Sequence, residues 1–232
     1  MPNASTSTLS DMSTSDIAAL STTYIAALTT DDIAALSPEQ ASVLSSQQVR
    51  ALSALTLGAL PLGDLMVIST RSIAVLSTDQ VAKLSTTALG SLTSSQLGVL
   101  STAVIASLGS SRLQALGTDG LRALSSTQLR VLATDKISAL STSQVEALAT
   151  SQVSILGSSQ FAALTSGQLA ALSTSQIQTI SSAQLAIVPE ETFGALNSDQ
   201  LDAFSAAALN RVPLTTDVLK NLSTTSLQDL TT

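Results

Sequence analysis

The stretch Ser141-Thr142-Ser143-Gln144-Val145-Glu146-Ala147-Leu148 is a clean copy of an eight-residue unit that fills nearly the whole chain. The unit reads Ser-Thr-x-Gln-φ-x-Ala-Leu, where φ is nearly always Leu, Ile, Val or Phe. It runs 26 times over residues 5–212 without an insertion or deletion. Pro213 and Leu214 interrupt it, and two more copies follow at 215–222 and 223–230. A fixed period this short marks a repeat architecture, in which each unit is held by its neighbours. The chain therefore divides into an N-terminal tail (1–4), a continuous array (5–212) and C-terminal capping repeats (213–232).

Positions within the unit, numbered 1 to 8 from the Ser, have distinct chemistry. Position 5 is apolar in all 28 copies, for example Ile17, Ile25, Ile33, Val49, Leu113 and Phe161. Position 8 is apolar throughout and mostly Leu. A spacing of three puts both on one face of a helical turn. Position 1 is Ser, Thr, Gly or Asn in most copies, the residue types that cap a helix N-terminus. Gln often stands at position 4, as in Ser173 with Gln176 and Ser181 with Gln184. Ser-x-x-Gln is a capping box, in which the Gln side chain reaches back to the N-cap N–H. Position 8 of one unit and position 5 of the next then form a hydrophobic staple, as Leu20 and Ile25 would.

Each unit thus predicts a very short helix that ends where the next cap opens. One unbroken helix fits poorly, because eight residues at about 100° each would rotate the apolar stripe by roughly 80° per unit. Isolated helices of this length are unstable in water, so they must stack. The expected fold is an all-α solenoid, with positions 5 and 8 inside and positions 2, 3 and 6 facing water. A β-solenoid is the alternative, since Ser, Thr, Val and Ile suit strands. The odd spacing of positions 5 and 8, which would place them on opposite faces of a strand, argues against it. The number of repeats per coil is not legible, because adjacent units look equivalent.

Composition narrows the function. The net charge is −7 and the nine basic residues are scattered singly, which disfavours nucleic acid. There is no Cys and no His, so the best nucleophile, the commonest base and the usual soft-metal ligands are missing. The acids Asp31, Asp32, Asp79, Asp119, Asp135 and Asp199 sit at positions 3 and 4, where they suit a helix N-terminus. No calcium loop, phosphate-binding loop or nucleophile elbow is present. The sequence predicts a non-enzyme with no cofactor and no metal. Residues 1–20 lack a basic segment followed by an apolar one, and no apolar run is long enough to cross a membrane. The expectation is a soluble protein without membrane insertion, cytoplasmic or exported without a cleaved Sec signal peptide.

Breaks in the pattern are the places to look for contacts. Pro61-Leu62-Gly63-Asp64 replaces the polar half of one unit, and Pro189-Glu190-Glu191 opens another with two acids. Tyr24 stands alone at a position usually held by Gln or Asp. The candidate interaction residues are therefore Tyr24, Pro61, Gly63, Asp64, Glu190 and Glu191. Polar Asp11, Asn221 and Asp229 replace the usual Ala at the ends of the array, as expected of capping repeats.

Two resemblances follow from these motifs. Leu36-Ser37-Pro38-Glu39-Gln40 and Leu148-Ala149-Thr150-Ser151-Gln152-Val153 resemble the opening of the first helix in transcription activator-like effector repeats. That likeness covers one capped helix start; the second helix and base-reading loop of that family have no counterpart here. Over nearly its full length the chain resembles the Leu-Thr-Thr-x-Gln-Ile-x-Ala-Leu octapeptide arrays of large bacterial surface and secreted proteins. This resemblance implies a bacterial structural or adhesive role and carries over no functional residue.

The function expected is a non-enzymatic structural or self-assembling protein, forming a rod, filament or surface layer. The alternative is a solenoid that binds a protein or glycan partner, as an adhesin or secreted effector would. Ice binding through exposed Thr rows (Thr70, Thr78, Thr86) is a further alternative. If position 8 is core, Leu148→Asp will unfold several neighbouring repeats together, and a thermal melt by circular dichroism matching the parent would show that it is not.

Overall fold

A computed structural model of the chain describes residues 9–229. The tail 1–4 and the first half of the first repeat lie outside the described residues, as does the side chain of Asp229. One 3-10 turn, Leu9–Asp11, precedes 27 α-helices of four to seven residues, and no strand occurs among the described residues. The fold is an all-α solenoid with about one very short helix per octapeptide, and the β-solenoid alternative has no support.

The local grammar explains each helix. Thr165 is extended (φ −70°, ψ 162°) before the helix Ser166–Ala170. Its Oγ1 accepts from the Gln168 N–H at 3.2 Å, and Gln168 Oε1 accepts from the Thr165 N–H at 2.8 Å. The N–H of Leu169 bonds the Thr165 carbonyl (2.9 Å), and that of Leu172 closes back on the Leu169 carbonyl (3.1 Å). The helix is therefore one α-turn finished by a tighter i→i+3 turn. In many repeats position 8 is extended, as at Leu52 (φ −60°, ψ 134°) and Leu100 (φ −60°, ψ 141°), which ends the helix and turns the chain into the next cap.

The chain forms two compact units, Met1–Leu116 and Gly117–Thr232. Within the first, each helix packs on the helix three repeats later: Pro38–Ser42 on Leu62–Val67, and Ala54–Gly58 on Thr78–Lys83. Within the second, Ser158–Ala162 packs on Ser182–Leu185 in the same way. Side-chain hydrogen bonds also join many repeats to the one four earlier, as from Gln48 to Ile17 and Leu20. In each unit one turn of the coil thus takes between three and four repeats.

The core follows from this winding. Position 5 is almost completely buried from Leu9 to Leu209, and position 8 from Leu28 to Val212. Each fully buried Leu, Ile or Val contributes about 1.5–3 kcal/mol. Past the Pro213–Leu214 insertion the register of burial changes: Val218 and Ser226, at position 4, are inside, while Leu219 and Leu227, at position 5, are 43% and 38% exposed. The expectation that position 5 is inside throughout fails there. The polar end residue Asn221 also does more than face an open end, since its Nδ2 donates to the Leu196 carbonyl at 3.0 Å.

Three glycines are required by the backbone. A Cβ on Gly58 or Gly90 would collide with a carbonyl oxygen three repeats on, that of Lys83 or Ala115. Gly117 has φ +67° and opens the helix Gly117–Ala123. Nothing crowds the place of its missing Cβ, so the cost of a substitution there is conformational. Gly117→Ala is expected to lower stability by about 1–2 kcal/mol, read as a lower denaturant midpoint at unchanged slope.

Candidate interaction surface and the buried polar ladder

Position 4 sets the inner polar chemistry. Its Gln residues, which the capping box alone would leave at the surface, are buried to within a few per cent from Gln40 to Gln200. Gln168 shows why. Its Oε1 serves its own cap, and its Nε2 donates to the carbonyls of Ile137 (3.0 Å), Ser138 (3.2 Å) and Leu140 (2.7 Å). Those carbonyls lie at the end of the helix four repeats earlier. The same bonds recur from Gln40 to Leu9 and Met12, from Gln96 to Leu65 and Ile68, and from Gln160 to Leu129 and Leu132. One amide thus caps two helices, the start of its own and the end of one a coil earlier.

Several other residues at this position also donate to the coil before, whereas Ala88, Val104, Gly120 and Ala208 are buried there with no side-chain donor. The Thr56 hydroxyl donates to Leu28 (3.1 Å) and the Ser72 hydroxyl to Leu44 (3.0 Å), each 28 residues back. Arg112 sends its guanidinium to the carbonyls of Val81 (2.8 Å), Ala82 (2.8 Å) and Leu84. Where position 1 has no hydroxyl, the Gln bond persists: Ala149 and Gly157 give their N–H to Gln152 and Gln160 at 2.9 and 3.0 Å. Where position 1 is Pro and has no N–H, as at Pro61 and Pro189, position 4 is Asp64 or Thr192 instead of Gln. A sequence signal for this ladder existed. Position 4 is Thr8, Asp16, Tyr24 and Asp32 in the first four repeats, and Gln begins at the fifth, which is the first with a partner four repeats before it.

The acids of those early repeats behave as N-terminal caps. Hydrogen bonds from the Ser13 hydroxyl and N–H hold the Asp16 carboxyl below its ordinary pKa, and those from Thr29 do the same for Asp32. Such groups favour the fold above the usual Asp range, and that contribution is lost as pH falls through their lowered values.

The candidate residues separate into distinct environments. Tyr24 is 45% exposed in Thr22–Ala26, and its N–H is accepted by the Ser21 hydroxyl at 3.1 Å. Pro61 and Gly63 are exposed at the start of Leu62–Val67. Asp64, one residue further, is 2% exposed, and its Oδ2 has no hydrogen-bond partner. Glu190 and Glu191 are exposed in the first turn of Glu190–Phe193, in the second compact unit. Pro61, Gly63 and Asp64 therefore share one helix start, whereas Tyr24 lies on a different helix of the same unit. The stretch around that start also exposes apolar side chains that sequence reading did not single out: Leu55 (65%), Leu62 (40%), Met66 (47%) and Val67 (42%).

Among the described residues no cluster of acids has metal-binding geometry, and no helix is long and apolar enough to cross a membrane. One open hollow is lined by Ser42, Ser45, Ser46, Ser69 and Arg71.

The ALTTAQ repeat family matches residues 9–46, 105–142, 113–150 and 137–166, together less than half of the chain. The overlapping matches support a tandem array. No curated protein matches the chain.

Replacing Gln168 tests the ladder. Gln168→Leu orphans the Thr165 N–H and the Leu140 carbonyl, at about 1–3 kcal/mol for each buried group left without a partner, and leaves the Ile137 carbonyl with only the Leu140 N–H. The exposed Ser175→Ala, by contrast, should stay within about 0.5 kcal/mol of the parent. Equal denaturation midpoints for the two variants would show that the ladder does not stabilise the coil.

Proposed function

We propose that the chain is a non-enzymatic structural repeat protein whose regular outer surface serves assembly into a rod, filament or surface layer. One observation carries this reading. The polar interior is occupied by the coil's own bonding, with Gln at position 4 joining repeat to repeat, so the surface is a periodic array of Ser, Thr and Asp side chains. A surface of repeated small polar groups suits many weak, equivalent lateral contacts. The likeness to octapeptide arrays of large bacterial surface and secreted proteins supports the same role outside the cell. The lack of His and Cys in the sequence weighs against catalysis.

A second reading, a module that binds a protein partner, is favoured by Leu55, Leu62, Met66 and Val67, which are exposed around the irregular start Pro61-Leu62-Gly63-Asp64. Ice binding has less support. Thr70, Thr78 and Thr86 belong to successive repeats, which are spread around the coil, since stacked neighbours are three and four repeats apart.

Electron microscopy and light scattering of the purified protein across a concentration series separate the two main readings. Ordered lateral assemblies that grow with concentration are expected for the structural role. If discrete particles persist at every concentration, the binding role takes precedence. Leu62→Ser with Met66→Ser should then abolish partner capture without lowering the melting temperature by more than a few degrees.

A further inference from the structure

The eighth repeat (61–68) is the one place where the ladder receives a carboxylate. Asp64 occupies position 4, is 2% exposed, and leaves Oδ2 without a partner, alone among the buried side-chain polar atoms of the described residues. Two features explain this. The N-cap is Pro61, which has no N–H to donate to the carboxylate, so the half of the capping box that Gln normally completes cannot form. The other half of the position-4 role is to donate to carbonyls one coil earlier, and an ionised carboxylate has only acceptors.

The flanking repeats show what is needed there. All three carry a short side chain at position 4: Thr56, Asp64 and Ser72. The hydroxyls of Thr56 and Ser72 each donate to the position-8 carbonyl 28 residues earlier, that of Leu28 or Leu44. For Asp64 the equivalent carbonyl is that of Leu36. We propose that Asp64 is folded as the neutral acid, its carboxyl O–H donating to the Leu36 carbonyl as the neighbouring hydroxyls do, and that its ionisation loosens the eighth repeat.

The surroundings favour the neutral form. The helix Pro38–Ser42, packed on Leu62–Val67, brings Glu39, and the helix Thr86–Ser91, also packed on it, brings no ionisable group. The helix Thr30–Ala34, which ends beside the Leu36 carbonyl in sequence, carries the acids Asp31 and Asp32. Burial first, and then the charge of Glu39, raise the Asp64 carboxyl above its ordinary value. The sign of the linkage follows. The folded chain holds this proton more tightly than the unfolded one. Its contribution is therefore complete below the ordinary Asp value of about 3.9 and is lost as pH rises through the raised folded value. This is opposite to the behaviour of Asp16 and Asp32. The helix that would loosen also displays Leu62, Met66 and Val67, so the proton on Asp64 controls how firmly that apolar strip is held.

The test is a pH titration of the full-length chain by carboxyl 13C NMR, with the Asp64 resonance assigned by its loss in Asp64→Asn. It is paired with denaturant unfolding of both proteins from acid to neutral pH. The Asp64 resonance is expected to titrate above the exposed aspartates. The stability of the parent relative to Asp64→Asn should fall by up to about tenfold in equilibrium constant per pH unit between the unfolded and folded values. Asp64→Asn, whose amide can donate to Leu36, should lack that component. A resonance titrating at or below the ordinary Asp range would overturn the proposal. So would parent stability that depends on an added metal cation at fixed pH and loses that dependence in Asp64→Asn, since a cation would then neutralise the carboxylate. If the variant does not fold, the parent's own resonance still decides.

Discussion

A helix of one or two turns leaves most of its backbone groups without partners inside the helix. A protein built only of such helices must therefore satisfy many of its N–H and C=O groups from outside each one. The buried position-4 amide solves this at both ends. Its oxygen takes the N–H at the start of its own helix, and its NH2 group takes the carbonyls at the end of a helix one coil earlier, as Gln168 does between Thr165 and Leu140. The apolar positions 5 and 8 supply the bulk of the stabilisation. They specify no register by themselves, because every repeat offers the same Leu and Ile. The amide adds a directional link between repeats four apart, which the apolar positions lack.

Much of the fold was legible in the sequence. Caps, staples and the apolar pair at positions 5 and 8 predict the helices and the core, because each depends on residues fewer than eight apart. The coil itself is a longer-range matter. Its turn of between three and four repeats depends on how helices of identical sequence stack, and Ser-x-x-Gln explains only one of the bonds that the Gln forms. The position of Gln40 as the first Gln of the series carried the missing information, in the offset of four repeats from the start of the array. The changed burial of Leu219 and Leu227 was hidden for a different reason: both obey the pattern, and the preceding insertion alters what the pattern means.

The candidate interaction residues were less legible. Pro61, Gly63 and Asp64 stand out together in the sequence, but whether each faces water depends on coil packing, which exposes the first two and buries the third. Arg112 was invisible as a ladder member, since a lone Arg in a polar unit reads as a surface charge. Its guanidinium against three carbonyls shows that a donor other than an amide can take the place of Gln.

The period of the bonding has a consequence at the level of the gene. Before the Pro213–Leu214 insertion, every coil-to-coil bond joins repeats separated by a whole number of octapeptides, and the repeats are close to interchangeable. Unequal crossing-over or replication slippage that adds or removes one complete unit therefore leaves the reading frame and the rules of contact intact. A duplicated octapeptide finds a Ser to open its helix, a Leu to close it and a Gln to bond the coil below. Such an array can lengthen or shorten in discrete steps without inventing new packing, whereas the loss of a single codon would displace every donor after it.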